Sequence, residues 1–189
     1  MTTDAMRLAL VGGGVVARWH AEAIQRLRAT ARLVVLVGRR GGSGQALAES
    51  LGVDFARSLE DVVARSDIDA VVICTPSGSH ADTAVTALEA GKHVLVEKPL
   101  DVTFRAGMRV VEVARRSGLT ASVVSQHRFD PASRAVQDAL RSGRLGRVTS
   151  CLVSTPWWRD PYPVTSSDLA ISLGDATGGG KLNPARAAD

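Results

Sequence analysis

The sequence is poor in cysteine, aromatic residues and long apolar runs, and each shortage excludes a class of protein. Its two cysteines, Cys74 and Cys151, lie far apart and match neither a metal-binding spacing nor a disulfide framework. We therefore expect two free thiols in a reducing compartment. No apolar run approaches the roughly 20 residues that cross a bilayer. The first residues also lack the pattern of a signal peptide, so we expect a cytoplasmic protein that does not bind a membrane.

The composition also argues against a protein that binds nucleic acid. The net charge of +4 and the pI near 9.7 are the one argument for a DNA-binding protein. However, the basic residues are scattered, only 4% of the residues are aromatic, and no helix-turn-helix with a basic face is evident. We expect no nucleic-acid partner. The positive charge also suits a small anionic ligand such as a nucleotide.

What the sequence does contain is a regular alternation of short apolar runs with helical patterns. This alternation predicts an α/β fold with a doubly wound parallel sheet and helices on both of its faces. We assign this domain to residues 1–125. Residues 126–156 are predicted to be a linker and the start of an incomplete α+β second domain, with a strand at Arg147–Ser154. Residues 157–189, which are rich in proline and glycine, are predicted to be an irregular tail.

A glycine-rich turn directly follows the first predicted strand and opens the first helix. Its sequence, Gly12-Gly13-Gly14-Val15-Val16-Ala17, fits the pattern G-x-G-x-x-A. Gly12 permits a tight turn, Gly14 lets the main chain approach a diphosphate, and Ala17 keeps the helix close to the sheet. The amino end of the helix then meets the negative charge. We predict a Rossmann dinucleotide site at Gly12, Gly14, Val15 and Val16; the alternative is a turn with a structural role only.

The end of the second predicted strand bears on the choice of coenzyme. An NAD site usually has a carboxylate there for the ribose 2′-hydroxyl group, but this strand ends in Val37-Gly38-Arg39-Arg40. Guanidinium groups pair well with a 2′-phosphate. The sequence therefore predicts NADP or NAD as cofactor, with NADP favoured and with Arg39 and Arg40 as its ligands. Alternatively, both arginines are solvated loop residues.

A lysine follows another apolar strand in the segment Val96-Glu97-Lys98-Pro99-Leu100. Ligands of open α/β sheets bind at the carboxyl ends of the strands, where this segment falls. The Lys98 ammonium could hydrogen-bond a substrate hydroxyl and favour its alkoxide character, and Glu97 could orient Lys98. The alternative is an ordinary surface pair of opposite charges.

Taken together, four segments resemble the Gfo/Idh/MocA oxidoreductases over about residues 6–156. They are the glycine turn, the Glu97-Lys98-Pro99 segment, the run Cys74-Thr75-Pro76-Ser77-Gly78-Ser79-His80, and the run Gln126-His127-Arg128-Phe129-Asp130-Pro131. The resemblance implies that Lys98 is a catalytic-site residue.

The resemblance also implies roles for residues whose chemistry alone leaves them ambiguous. It implies that Thr75, Pro76, Ser77 and His80 line the cofactor pocket, and that His20 packs there rather than doing chemistry. It places Arg128 against substrate or cofactor, although an exposed loop arginine is equally compatible with the sequence. No metal ligands are implied. Trp157 and Trp158 resemble the family's aromatic segment that enters the second domain, or are ordinary interface residues.

The family resemblance implies hydride transfer between NAD(P)(H) and a sugar, cyclitol or related hydroxy compound. It is also compatible with a homo-oligomer. The family's second domain supplies an Asp and a His a few positions apart, yet no histidine follows His127 here. We therefore expect a truncated or frameshifted member with impaired turnover. The alternative function is a non-catalytic NADP(H)-binding module.

Overall fold

The computed structural model describes residues 5–154, which divide into two compact units, and the first unit holds a single six-stranded parallel sheet. The strands are β1 (Met6–Val11), β2 (Ala31–Val37), β3 (Asp54–Ala56), β4 (Ala70–Ile73), β5 (His93–Val96) and β6 (Ala121–Val123). The helices of this unit are α1 (Val15–Arg26), α2 (Ser43–Leu51), α3 (Leu59–Val63), α4 (His80–Glu89) and α5 (Phe104–Ser117). The strand order is β3-β2-β1-β4-β5-β6.

Each central strand is apolar on both faces, and this explains why two separate cores form. In β1, Leu8 and Leu10 pack with buried residues of α1 and α2. Ala9 and Val11 point to the opposite face, where they pack with α3, α4 and α5. Because side chains alternate along a strand, continuous apolar runs such as AVVI in β4 fill both cores. The predicted doubly wound α/β fold is therefore confirmed.

The sequence also predicts three helix ends: Ser58 as the cap of one helix, Ser79 as the start of another, and Gly118 as the end of a third. The first and the last are found where a side chain or a glycine satisfies the terminal main-chain groups. The Ser58 hydroxyl accepts the main-chain N–H of Asp61 at 3.3 Å and caps α3 as the sequence predicts. Helix α5 ends at Gly118, whose φ of 69° lies in the left-handed region. Helix α4 begins one residue later than its predicted start at Ser79, because Ser77–Ser79 forms a separate 3₁₀ turn.

The second unit is described over residues 125–154 and contains a 3₁₀ turn, Gln126–Phe129, and helix α6 (Pro131–Arg141). The predicted strand at Arg147–Ser154 is wrong: this segment has no regular secondary structure. A strand needs a neighbouring strand to hydrogen-bond its main chain, and within residues 125–154 there is none. In the part of the chain described, no helix has both the length and the apolar character needed to cross a membrane.

The Asp69 carboxylate, just before β4, is hydrogen-bonded to Arg7 near the start of β1. The titration of this carboxylate gives a testable prediction. Asp69 Oδ2 accepts the Arg7 main-chain N–H at 2.7 Å, and Oδ1 lies 2.6 Å from the Arg7 guanidinium. These hydrogen bonds to Arg7 lower the pKa of the Asp69 carboxyl from 3.8 to about 2. A lowered folded-state pKa stabilises the fold above pH 3.8, and this stabilisation is lost as the pH falls towards 2.

We expect Asp69→Asn to lower the free energy of unfolding by about 1 kcal/mol at neutral pH. The full shift is discounted because the Asp69 side chain is 35% exposed. The free energy of unfolding is measured with urea at several pH values. The difference in this free energy between Asp69→Asn and the unchanged protein should become smaller between pH 4 and pH 2. Glu112→Gln, a change at an exposed position of α5, is the control. A difference that stays constant with pH would contradict the role assigned to Asp69.

Candidate functional site

The carboxyl ends of the central strands lie side by side, which brings several predicted site residues to one edge of the sheet. Gly12 donates its N–H to Val37 at 3.0 Å, and Cys74 donates to Val11 at 2.8 Å. At the next strand, the N–H of Glu97 reaches the Ile73 carbonyl at 2.9 Å. The strand order reverses between β1 and β4. At such a reversal the two adjacent loops separate and leave a crevice for a ligand.

The glycine turn shows two different reasons for glycine. Gly12 has a φ of +113°, and a Cβ there would overlap the main-chain carbonyl of Cys74. A Cβ at Gly13 would overlap the main chain of Gly44 in α2. A Cβ at Gly14 would meet no atom within 4 Å. Packing within the protein therefore requires the first two glycines, whereas the third leaves open space at the start of α1.

Helix α1 presents free main-chain N–H groups to that open space. Gly14 occupies the N-cap position and makes no side-chain cap, and the first turn contains no acidic residue. The side of the helix facing the sheet is closed by Ala17, which is fully buried, while Val15 is 66% exposed. Unpaired N–H groups and the positive end of the helix dipole favour an anion at this point.

The arginine loop follows β2 and continues into α2. Arg39 and Arg40 are both exposed, and within residues 5–154 neither guanidinium group makes a hydrogen bond or an ion pair. The loop turns through a hydrogen bond from Gly42 N–H to the Arg39 carbonyl at 3.1 Å. Close packing of Gly13 against Gly44 sets the start of α2 directly beside the glycine turn. Two unpaired cationic side chains therefore lie on the loop that leads to this contact.

The loop after β4 contains one unsatisfied polar atom. Thr75 Oγ1 is buried and has no hydrogen-bond partner among the described residues. Ser77 is buried, whereas Pro76 is exposed. A buried hydroxyl without a partner is costly, so Thr75 is a natural contact for a ligand that enters the crevice beside Gly12.

His80 links this loop to the loop after β5. Its ring is 1% exposed, with Nδ1 2.7 Å from the Pro99 carbonyl oxygen and Nε2 2.8 Å from the Thr75 carbonyl oxygen. Both ring nitrogens are thus used by the protein. This contact fixes the shape of the two loops, while the predicted contact of His80 with a cofactor stays a prediction.

The loop after β5 places Lys98 at the surface and Glu97 inside. The Lys98 side chain is exposed, and its ammonium makes no hydrogen bond within the described part of the chain. Glu97 Oε2 accepts the main-chain N–H of Lys98 at 3.0 Å, and Oε1 lies 2.8 Å from His20 Nε2. Glu97 therefore contacts the main chain of Lys98, and its predicted role in orienting Lys98 stays a prediction. No pattern in the sequence predicts the His20–Glu97 contact, apart from the position of His20 one helical turn after Val16.

Cys74 lies near Glu97, and its thiol is not set up to act as a thiolate. Burial raises the pKa of its thiol to about 12, and the nearby Glu97 carboxylate adds to the effect. A thiol with that pKa stays protonated and unreactive at neutral pH. Among the described residues, no three His, Cys, Asp or Glu side chains are grouped so that they could hold a metal ion.

Two further predicted features come after the first unit in the sequence. Arg128 belongs to the second unit, where it is exposed on the 3₁₀ turn and donates its N–H to the Ser125 carbonyl at 3.0 Å. Its predicted contact with cofactor or substrate stays a prediction. Trp157 and Trp158 lie outside the described residues.

The strand order, the glycine turn and the amino end of α1 define a Rossmann-type domain, a class of fold in which dinucleotide coenzymes bind at this edge of the sheet. Comparison with known proteins gives the family: residues 6–125 match the model described as "Oxidoreductase family, NAD-binding Rossmann fold". The chain belongs to the Gfo/Idh/MocA oxidoreductase family, as its motifs predicted.

Among its relatives is the inositol 2-dehydrogenase of Rhizobium meliloti, 34% identical over 82% of this chain and 46% of the relative. The WlbA dehydrogenase of Bordetella pertussis, solved with NADH and UDP-GlcNAcA, is 34% identical with a TM-score of 0.72, covering 76% of this chain and 44% of that one. The scyllo-inositol dehydrogenase of Lactobacillus casei, solved with NAD(H) and scyllo-inositol, is 28% identical with a TM-score of 0.70 over 77% and 44% of the two chains. The chain spans about half the length of the curated relatives it matches.

Proposed function

We propose that this protein binds NADP(H) or NAD(H) at the crevice beside Gly12 and takes part in hydride transfer to or from a hydroxyl carbon of a cyclitol or sugar. One observation carries the proposal. The glycine turn at the start of α1 and the unpaired Lys98 ammonium follow strands of the same sheet at the same edge. The relatives named for inositol, and the solved relative with bound scyllo-inositol, support a polyol as the substrate class.

The residues at this edge fit a dinucleotide. Open space at Gly14 admits a diphosphate close to the main chain of α1. Thr75 Oγ1 offers a buried hydroxyl without a partner in the described residues, so a polar ligand would satisfy it rather than displace an existing bond. We propose Gly12, Gly14, Val15 and Val16 as diphosphate contacts, and we further propose contacts from Thr75, Pro76, Ser77, His80, Glu97 and Lys98.

Lys98 is proposed as the residue that acts on the substrate. When bound, the nicotinamide coenzyme supplies the hydride chemistry itself. The exposed ammonium of Lys98 would donate a hydrogen bond to the substrate oxygen and stabilise the negative charge that develops there. Because Glu97 holds the Lys98 main chain, the ammonium reaches the substrate from a fixed point on the strand end.

We propose a preference for NADPH over NADH that depends on Arg39 and Arg40. Both guanidinium groups lack protein partners among the described residues and can pair with a 2′-phosphate. Titration with each reduced coenzyme, followed by its fluorescence, should show tighter NADPH binding. Replacing both arginines with serine should weaken NADPH binding roughly ten- to hundredfold and leave NADH binding nearly unchanged.

Arg32→Ser is the matched control for this titration, because Arg32 is an exposed arginine near the opposite end of β2. It should change neither affinity. Equal weakening of both coenzymes by the double replacement would show that the arginines do not read the 2′-phosphate. Tighter binding of NADH than of NADPH by the unchanged protein would overturn the preference outright.

The second candidate function is a coenzyme-binding module without turnover. The observation that favours it is that two features suited to a coenzyme, the open space at Gly14 and the Thr75 hydroxyl without a partner among the described residues, both lie in the first unit. A steady-state assay with a panel of inositols and sugars separates the two candidates. Reduction of the oxidised coenzyme by one polyol supports the oxidoreductase, whereas tight coenzyme binding with no turnover on any member of the panel supports the module.

A further inference from the structure

We propose that His20 is a positioning residue for Lys98 and acts through Glu97, so that the coenzyme-binding helix and the lysine loop are mechanically joined. The inference rests on the proposed function of Lys98. It adds a role for a residue on α1 that lies on a different element from the lysine and about 80 positions away from it in the sequence.

The His20–Glu97 contact is short and largely shielded from solvent. Its nitrogen and oxygen atoms are 2.8 Å apart, and the side chains are 18% and 14% exposed. A carboxylate can only accept, so the ring nitrogen His20 Nε2 must be the donor. Because the Glu97 carboxylate is mostly buried, loss of the His20 donor would leave one of its oxygens without a hydrogen bond. This loss would favour a shift of the Glu97 side chain.

Glu97 uses its other oxygen on the lysine itself. Oε2 accepts the Lys98 N–H at 3.0 Å, and the carbonyl oxygen of the following residue, Pro99, lies 2.7 Å from His80 Nδ1. The main chain from Glu97 to Pro99 is thus held from both sides. The Lys98 ammonium itself makes no hydrogen bond among the described residues. Its place is therefore set through its main chain, and His20 is the outermost member of that chain of contacts.

The position of His20 on α1 supplies the connection to coenzyme binding. His20 lies four residues after Val16, so the two side chains share one face of the helix. The amino end of the same helix begins at the glycine turn. A ligand that orders this end of α1 therefore also orders the donor that holds Glu97.

The lysine main-chain N–H groups provide a direct test, because the chain has only three lysines, Lys92, Lys98 and Lys181. Labelling lysine alone with ¹⁵N gives three amide cross-peaks, and Lys98→Arg identifies the one of interest. We expect His20→Asn, whose amide is too short to reach Glu97, to move the Lys98 cross-peak and to speed its exchange with solvent roughly tenfold. We expect His20→Gln, whose amide does reach, to restore both.

The Lys92 amide is the internal control. It donates to the Ala87 carbonyl at 2.9 Å before β5 begins, and neither variant should move it. If His20→Asn leaves the Lys98 amide unchanged, or if His20→Gln fails to restore it while the melting temperature equals that of the unchanged protein, the positioning role is wrong. Should His20→Asn fail to fold, His20→Phe, which fills the space of the ring but has no donor, must weaken the hydrogen bond of the Lys98 N–H in the same way.

Adding NADH to the labelled protein separates this inference from the proposed function. In the unchanged protein the Lys98 cross-peak should shift on NADH binding, and in His20→Asn the dissociation constant should rise about tenfold. If the Lys98 cross-peak of the unchanged protein does not shift when NADH is added, the proposed role of Lys98 is contradicted. The ligand-free comparison of the His20 variants would still decide whether His20 holds the loop.

Discussion

Gly12→Ala is expected to destabilise the protein by roughly 3 to 5 kcal/mol, a large part of the stability of an ordinary domain. Gly12 adopts a φ of +113°, which an alanine avoids, and its Cβ would overlap the Cys74 carbonyl. Neither neighbour can retreat easily, because Gly12 and Cys74 are both hydrogen-bonded into the central strands. Thermal and urea unfolding would measure the loss.

The matched change is Gly14→Ala, two residues further along the same turn. Its φ of −75° suits alanine, and its Cβ would meet no protein atom within 4 Å. We expect a stability within about 1 kcal/mol of the unchanged protein, but coenzyme binding at least about tenfold weaker, because the new methyl group occupies the space proposed for the diphosphate. Unimpaired coenzyme binding by Gly14→Ala would place the diphosphate elsewhere.

Lys98→Met is expected to lower kcat by roughly a hundredfold or more while leaving the fold intact. Methionine keeps the length of the side chain and removes the ammonium that is proposed to stabilise charge on the substrate oxygen. The side chain is exposed and makes no hydrogen bond within the described residues, so stability should barely change. Turnover of the best polyol found in the substrate panel, measured alongside the coenzyme dissociation constant, would check this.

Lys92→Met is the control for that experiment, because Lys92 precedes the same strand whose other end leads to Lys98. Its ammonium donates to the carbonyls of Arg65 and Ile68 at 2.7 and 2.9 Å. This change should cost about 1 to 3 kcal/mol of stability and leave turnover alone. If Lys98→Met and Lys92→Met lowered kcat to the same degree, the effect would be one of folding and not of charge.

Local patterns of residues are enough to predict the architecture of the first unit. Apolar runs of strand length that alternate with helical patterns favour a parallel sheet with helices on both faces, because few other arrangements bury all of these runs. The glycine turn and the Glu97-Lys98-Pro99 segment then indicated the family. These inferences succeed because periodicity and turn chemistry act over a few neighbouring residues. The same local reasoning failed at Arg147–Ser154, since a strand depends on a partner that the pattern of its own residues does not supply.

The contacts between residues distant in the sequence are seen only in the folded protein. Gly13 occupies a position that the glycine pattern leaves open, yet the main chain of Gly44, on the next helix, excludes a side chain there. Likewise, His20 on α1 and Glu97 after β5 lie 77 residues apart in the sequence, and the fold brings their side chains to 2.8 Å. Contacts of this kind follow from the packing of whole elements against one another, which no short stretch of the chain contains.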